Sequence, residues 1–203
     1  MKREIEFFDQ VWSRGKVDLE ASKIRWDRRA EEFNKHKSDQ RVKQIVDFLV
    51  SRGALEENGE VLDIGCGTGR YSMEFAGRSK KVTGLDISPK MVEFARENAG
   101  EQNVENVEFR VLPWEDADVK ALGWEKKFKL VTAIMTPAIS SRKCLDNMVE
   151  ASGGYCIMSG HLDRREKLRD EIECSVLGRE PQEVDYGKNI YCSFNVLWQY
   201  GIY

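Results

Sequence analysis

This chain of 203 residues lacks paired cysteines, clustered histidines, long apolar runs and a strong charge of either sign, and each absence removes a class of function. Its two histidines, His36 and His161, lie far apart and neither has a metal-ligand neighbour four residues on, so no metal site is expected. The five cysteines (Cys66, Cys144, Cys156, Cys174 and Cys192) are odd in number, widely spaced and without a CxxC pair. They read as reduced thiols, not as a zinc site or a disulfide framework. No apolar run approaches the ~18 residues of a membrane span. The opening MKREIEFFDQVW lacks the apolar core and cleavage site of a secretory signal, so a cytoplasmic setting is expected. A net charge of −3 exerts no global pull on polyanions, which disfavours nucleic acid as a partner. Local pairs such as Lys80-Lys81 and Arg164-Arg165 remain available as phosphate contacts.

What is present is an alternation of two periods. Short, nearly continuous apolar runs at 61–64, 82–87, 106–111, 129–134 and 154–160 have the character of parallel strands buried on both faces. Between them lie helical segments at 68–79, 88–102 and about 138–151. Such alternation indicates βαβ units, hence an α/β, doubly wound, Rossmann-like and mainly parallel sheet with helices on both faces. Right-handed crossovers then bring the strand C-terminal ends, and any ligand, to one edge.

At this length one domain with appendages is expected: an N-terminal helical lid or substrate segment (1–37), then a domain (38–203) with its ligand-binding core at 59–160. In the first, Leu19, Ile24, Trp26, Ala30 and Phe33 share a spacing that fits one face of a helix from about Asp18 to Lys35. Ser38 is read as the cap of the next helix, whose stripe is Val42, Ile45, Val46, Leu49 and Val50, with Gly53 as its stop. Residues 161–178 read as a helix with Leu168, Ile172 and Val176 on one side, and 179–189 as a loop.

The stretch VLDIGCGTGRYS carries the chemistry. A strand ending near Asp63 feeds Gly65, Cys66, Gly67, Thr68 and Gly69, small residues where backbone passes close to a ligand and turns into a helix. A second strand ends in an acid, Asp86, about 20 residues further on. The spacing is GxGxG instead of the GxGxxG that seats a pyrophosphate, and Asp63 stands just before the turn. A carboxylate there repels a pyrophosphate and suits a ligand bearing an ammonium group. S-adenosylmethionine, a zwitterionic amino acid joined to adenosine through a sulfonium, meets both conditions. A nicotinamide dinucleotide meets neither, and the chain has no paired Lys/Tyr or His/Asp signature of a dehydrogenase.

VLDIGCGTGRYS resembles motif I of the class I S-adenosylmethionine-dependent methyltransferases, and VTGLDISPKMVEFARENA is similar to their second-strand motif. WDRRAEEFN resembles a W-D-x-x-A-x-x-F/Y segment that opens small-molecule members and forms part of a lid. The similarity spans about residues 24–160. It implies that Gly65, Cys66, Gly67 and Gly69 cradle the methionine portion, that Asp63 orients its amino end directly or through water, and that Asp86 accepts both ribose hydroxyls. Ile87 and Met91 would pack against the adenine, and Met135, opening MTPAIS after the fourth strand, would touch the cofactor.

The chain departs from the family pattern at Leu112-Pro113, where relatives carry Gly-Asp for the adenine amino group. Trp114 is then expected to stack on or edge the adenine, with Glu115 or Asp116 taking over the polar contact; ordinary core is the other reading of Trp114. The common Phe-Asp of the fourth strand appears as Phe128-Lys129. No Asn-Pro-Pro-Tyr or Asp-Pro-Pro-Tyr is present, which argues against adenine or glutamine methylation, and no Pro-Cys nucleophile of the cytosine-C5 type.

The resemblance therefore implies methyl transfer to an unidentified acceptor, a small molecule before protein or RNA, with a cofactor-binding partner subunit as the non-catalytic alternative. His161, past the fifth strand, is the base candidate, set against a surface histidine capping a loop. Trp26, Tyr71 and Thr136 are candidates to line the acceptor pocket. SFNVLWQYGIY reads as a last helix, its Gly201 stop and the first residues of strand six, so strands six and seven are expected to be missing or reduced. The uncovered sheet edge is then a candidate surface for homo-oligomers, the alternative being that the tail covers its own edge.

Overall fold

The computed structural model describes residues 2–12, 17–35, 40–161, 167–178 and 187–202. Ser38, His36, the Arg164-Arg165 pair, Tyr203 and the loop residues 179–186 lie outside the described residues. Five strands, β1 (Glu60–Ile64), β2 (Lys81–Asp86), β3 (Val107–Val111), β4 (Phe128–Ile134) and β5 (Ser152–Ser159), form one sheet in the order β3-β2-β1-β4-β5. Every pairing is parallel. The order reverses between β1 and β4, and a crevice opens at that switch point beyond the strand ends.

Alternation along the central strands divides the core into two layers, one on each face of the sheet. Val61, Val82 and Leu130 pack on one face with Val42, Val46 and Leu49 of α3 (Gln40–Ser51) and Phe75 of α4 (Arg70–Ala76). On the same side Val92 and Ala95 of α5 (Pro89–Glu101) meet Phe109. Leu62, Ile64 and Val131 point the other way, onto Leu145 and Met148 of α6 (Arg142–Ala151). Two-sided burial is why these strands read as apolar runs instead of alternating ones.

The helix boundaries follow local chemistry. Asp18 accepts from Ala21 N at the start of α2 (Leu19–Asn34), Ser88 from Met91 N at α5 and Ser141 from Cys144 N at α6, each supplying an acceptor for an orphan amide of the first turn. The apolar spacing overstates what these helices bury: in α2 only Ala30 is buried and Ile24 is exposed, and Val50 of α3 is exposed too. Leu168 and Ile172 of α7 (Lys167–Ser175), with Val176 after it, are likewise exposed. Periodicity marks a face that can be covered, not one that is.

The N-terminal segment has more structure than its scattered aromatics imply. It begins with α1 (Lys2–Trp12), which packs against α8 (Lys188–Gln199). Trp12 is fully buried in the same core as Cys192, Val196 and Met148. Its Nε1 is the one buried side-chain donor without a partner among the described residues, a loss of roughly 1–3 kcal/mol set against a large apolar ring.

Beyond α8, Ile202 N donates to Leu197 O and Gly201 has φ of 73°, a left-handed helix stop and not a strand. Among the described residues β5 is an edge of the sheet. Its start is pressed onto β4 at a register irregularity, where side chains on Gly153 and Gly154 would each meet a backbone oxygen at 2.5 Å. Lys129 lies alongside Gly59 and Gly154 and pairs with Glu56 at 3.2 Å. The glycines make room for its long stem.

Candidate active site

A cavity opens at the C-terminal ends of β1, β2 and β4, the place where open α/β sheets bind their ligands. Its floor is the glycine turn. Gly65 and Gly67 have φ of 70° and 57°, and a side chain on Gly65 would stand 2.1 Å from Thr136 Oγ1. The loops after β1 and β4 therefore touch at this point, and both conformation and space demand glycine.

Asp86, at the end of β2, forms one wall. Its Oδ2 accepts from Gly67 N at 2.9 Å and its Oδ1 from Ser88 N at 2.8 Å. Burial raises its pKa against the pull of these amides, with the Asp27 charge adding to the rise. A carboxylate offers about four acceptor sites, so these amides leave capacity for a donor from a ligand. Ile87, Met91, Leu112 and Trp114 continue this wall as an apolar surface.

Trp114 is both core and lining: it is 2% exposed, and its Nε1 donates to Cys144 O at 2.9 Å. The two readings of this residue are compatible because one ring face can close a cavity while the indole N–H is satisfied behind it. Of the two acids that follow, Glu115 lines the cavity and Asp116 is exposed. Ser140 Oγ donates to Glu115 Oε1 at 3.3 Å, and burial raises the Glu115 pKa.

The rest of the lining comes from α2, the residue Val17 before it and the loop after β4. Trp26 and Phe33 meet edge to face at 5.8 Å, and the Arg29 guanidinium lies over both rings, 5.2 and 4.9 Å from their centroids. Both rings line the cavity, as do Val17, Ser22, Pro137 and Ala138. Met135 lines it in a left-handed conformation, φ 54°, with its N–H donated to Ser159 O at 3.1 Å. A bulky residue is strained there, and a neighbouring strand holds it.

Five of the anticipated residues occupy other surroundings. Asp63 faces away from the cavity, where Ser72 Oγ donates to its Oδ2 at 2.6 Å and Thr132 Oγ1 to its Oδ1 at 2.9 Å. Burial lifts its pKa to about 6 although both hydroxyls pull it down. Cys66 turns its thiol toward Gly84 and Phe109, and burial drives that thiol's pKa well above its ordinary value. Gly69 caps α4, and a side chain there would strike Phe109 at 2.8 Å, so it serves packing beneath the turn. Tyr71 packs with Phe75 in the core layer under α3. His161 is exposed, two residues beyond β5, and is not among the residues lining the cavity.

A family model described as a methyltransferase domain matches residues 55–186, more than half of the chain. The chain belongs to the class I S-adenosylmethionine-dependent methyltransferases. Within this family it is 41% identical over 62 residues to a probable cobalt-precorrin-6B C(15)-methyltransferase (decarboxylating) of Methanobrevibacter smithii, covering 30% of this chain and 33% of that one. It is also 41% identical over 68 residues to the 23S rRNA (uracil(1939)-C(5))-methyltransferase RlmD of Shewanella sediminis, 34% of this chain and 14% of that one. The chain thus spans a third or less of the length of these two methyltransferases. Magnesium protoporphyrin IX methyltransferase from Synechocystis, solved with bound S-adenosylhomocysteine, shares the fold at a TM-score of 0.55 and 22% identity, over 91% of this chain and 80% of that one.

The sequence missed part of this methyltransferase cavity. Val17 and Ser22 carry no motif, and Phe33 stood in the W-D-x-x-A-x-x-F segment only as a helix-face residue. Leu112, Pro137 and Ala138 adjoin residues that were named, and strand-end position was the signal for them.

Proposed function

We propose that this chain transfers a methyl group from S-adenosylmethionine to a small-molecule acceptor held beneath α2. The observation that carries the reading is the cavity itself, whose lining joins Asp86 and an apolar surface to the Trp26–Phe33 panel. The residues suit the cofactor. Asp86, with acceptor capacity left, fits a ribose diol, and the flat surface of Ile87, Met91, Leu112 and Trp114 fits a purine. Gly65 and Gly67 allow close backbone approach, and Met135 flanks the region where donor and acceptor meet. Glu115 is the polar group on hand for the adenine amino group that Pro113 no longer serves. Asp63 acts through its charge, with its oxygens committed to Ser72 and Thr132.

When bound, the cofactor supplies a methyl on a sulfonium, an electrophile whose leaving group is a neutral thioether. The chain's own work is then to exclude water and align the acceptor, with Trp26, Phe33 and Thr136 as its walls. The exposed position of His161 lends no support to a base there, and proximity is the principal device. The test is radiolabelled methyl transfer into metabolite, RNA and protein fractions of the source cell. Label confined to the low-mass fraction is expected; label in RNA or protein alone refutes the acceptor class.

A further inference from the structure

The helix that roofs the cavity is held less by apolar burial than by hydrogen bonds. Of the sixteen residues of α2 only Ala30 is buried, so its seat depends on the polar ties it makes to α5. Asn98 Nδ2 donates to Asn34 Oδ1 at 2.8 Å near one end. At mid-helix, Asp27 Oδ1 accepts from Ser88 Oγ at 2.5 Å and from Lys90 N at 3.3 Å. Ser88 is fully buried and stands at a junction. Its Oγ accepts from Met91 N, capping α5, while its own N–H goes to Asp86 Oδ1 and Gly67 N goes to Asp86 Oδ2. An unbroken chain of hydrogen bonds thus runs from α2 through Ser88 to the carboxylate in the cavity wall and on to the glycine turn.

We infer that Asp27 is a positioning residue which couples occupancy of the Asp86 side of the cavity to the seating of α2. The inference rests on the proposed function, since it takes Asp86 as the ligand-holding carboxylate. Asp27 adjoins Trp26, and Arg29 clamps Trp26 to Phe33, so the latch that seats Asp27 also sets the aromatic panel over the acceptor space. Losing the Asp27 carboxylate leaves the buried Ser88 hydroxyl proton without its acceptor and releases the roof from the residue whose N–H holds Asp86. By linkage, a ligand on Asp86 tightens the roof to the same extent that the seated roof tightens the ligand.

S-adenosylhomocysteine is the probe, with its Kd from calorimetry and the protection of α2 amides from hydrogen exchange. In the unaltered protein the probe slows exchange across α2. Asp27→Ala weakens the probe about fivefold or more and abolishes that slowing. Ser88→Ala, which keeps the amide to Asp86 but loses the latch, does the same should the first variant be poorly folded. Asp27→Asn, whose amide oxygen still accepts from Ser88 Oγ and Lys90 N, retains most of both effects. Unaltered affinity and protection in Asp27→Ala and Ser88→Ala overturn the coupling, as does Asp27→Asn behaving like Asp27→Ala. Probe binding by the unaltered protein without any change in α2 overturns the coupling alone, whereas absence of binding overturns the proposed function with it.

Discussion

Asp63→Asn should make the protein more stable near neutral pH and lose that advantage in acid. The Asp63 carboxyl is buried between two sheet neighbours, and burial raises its pKa from 3.8 to about 6 despite the Ser72 and Thr132 hydroxyls. A raised folded value means that the native state holds the proton more tightly than the unfolded chain. The stabilisation from that proton is complete below pH 3.8 and is lost as pH climbs through about 6. A displacement of about two pH units corresponds to about 3 kcal/mol, the cost of keeping this group ionised at pH ~7.5. Asparagine offers an oxygen and an amide to the same two hydroxyls and bears no charge, so it escapes the cost. The assay is urea unfolding of both proteins at several values between about pH 5 and 7.5, compared as a difference so that Glu115 and the surface acids cancel. The variant should lead at the alkaline end by up to about 3 kcal/mol, with roughly half of the lead gone by about pH 5. A difference that does not change with pH would refute the reasoning.

Three other outcomes are expected. Asp86→Ala strips the acceptors from Gly67 N and Ser88 N as well as from the ligand, so S-adenosylhomocysteine affinity should fall at least ~100-fold by calorimetry, from the loss of two charge-assisted bonds of about 1.5–3 kcal/mol each. Trp114→Phe forfeits the hydrogen bond to Cys144 O and should lower unfolding free energy by about 1–2 kcal/mol in denaturant titration, with only a modest change in probe affinity. Trp26→Ala should raise the KM of the acceptor about tenfold in the labelled-transfer assay while kcat changes less, because it removes apolar wall and leaves the donor side in place.

The fold was legible because buried parallel strands and capped helices leave local marks: five apolar runs, and Ser or Asp at helix starts. Gly65, Gly67 and Asp86 were legible for the same reason, each answering to a backbone or charge requirement within one βα unit. What stayed hidden depends on packing across the sheet. Nothing near Trp12 announces that α1 joins α8 in the main core. Asp63 resembles a ligand group in sequence, yet pleat parity turns it toward Ser72 and Thr132. Asp27 stood in the sequence only within the W-D-x-x-A-x-x-F segment, and its partner Ser88, 61 residues on, leaves no local mark.

The contact between Gly65 and Thr136 has a practical bearing on any attempt to redirect this scaffold to new acceptors. The threonine hydroxyl fills the space that a side chain on the glycine would need, so the loops after β1 and β4 behave as a matched pair of parts. A transplanted loop from another scaffold would have to bring a residue of the same size at that position or the glycine turn would shift beneath the donor. The α2 roof is tied to α5 through Asp27 and Asn34, not through Trp26 or Phe33, which belong to a helix that buries a single residue. Libraries aimed at specificity therefore belong on the roof, with residue 136 held constant.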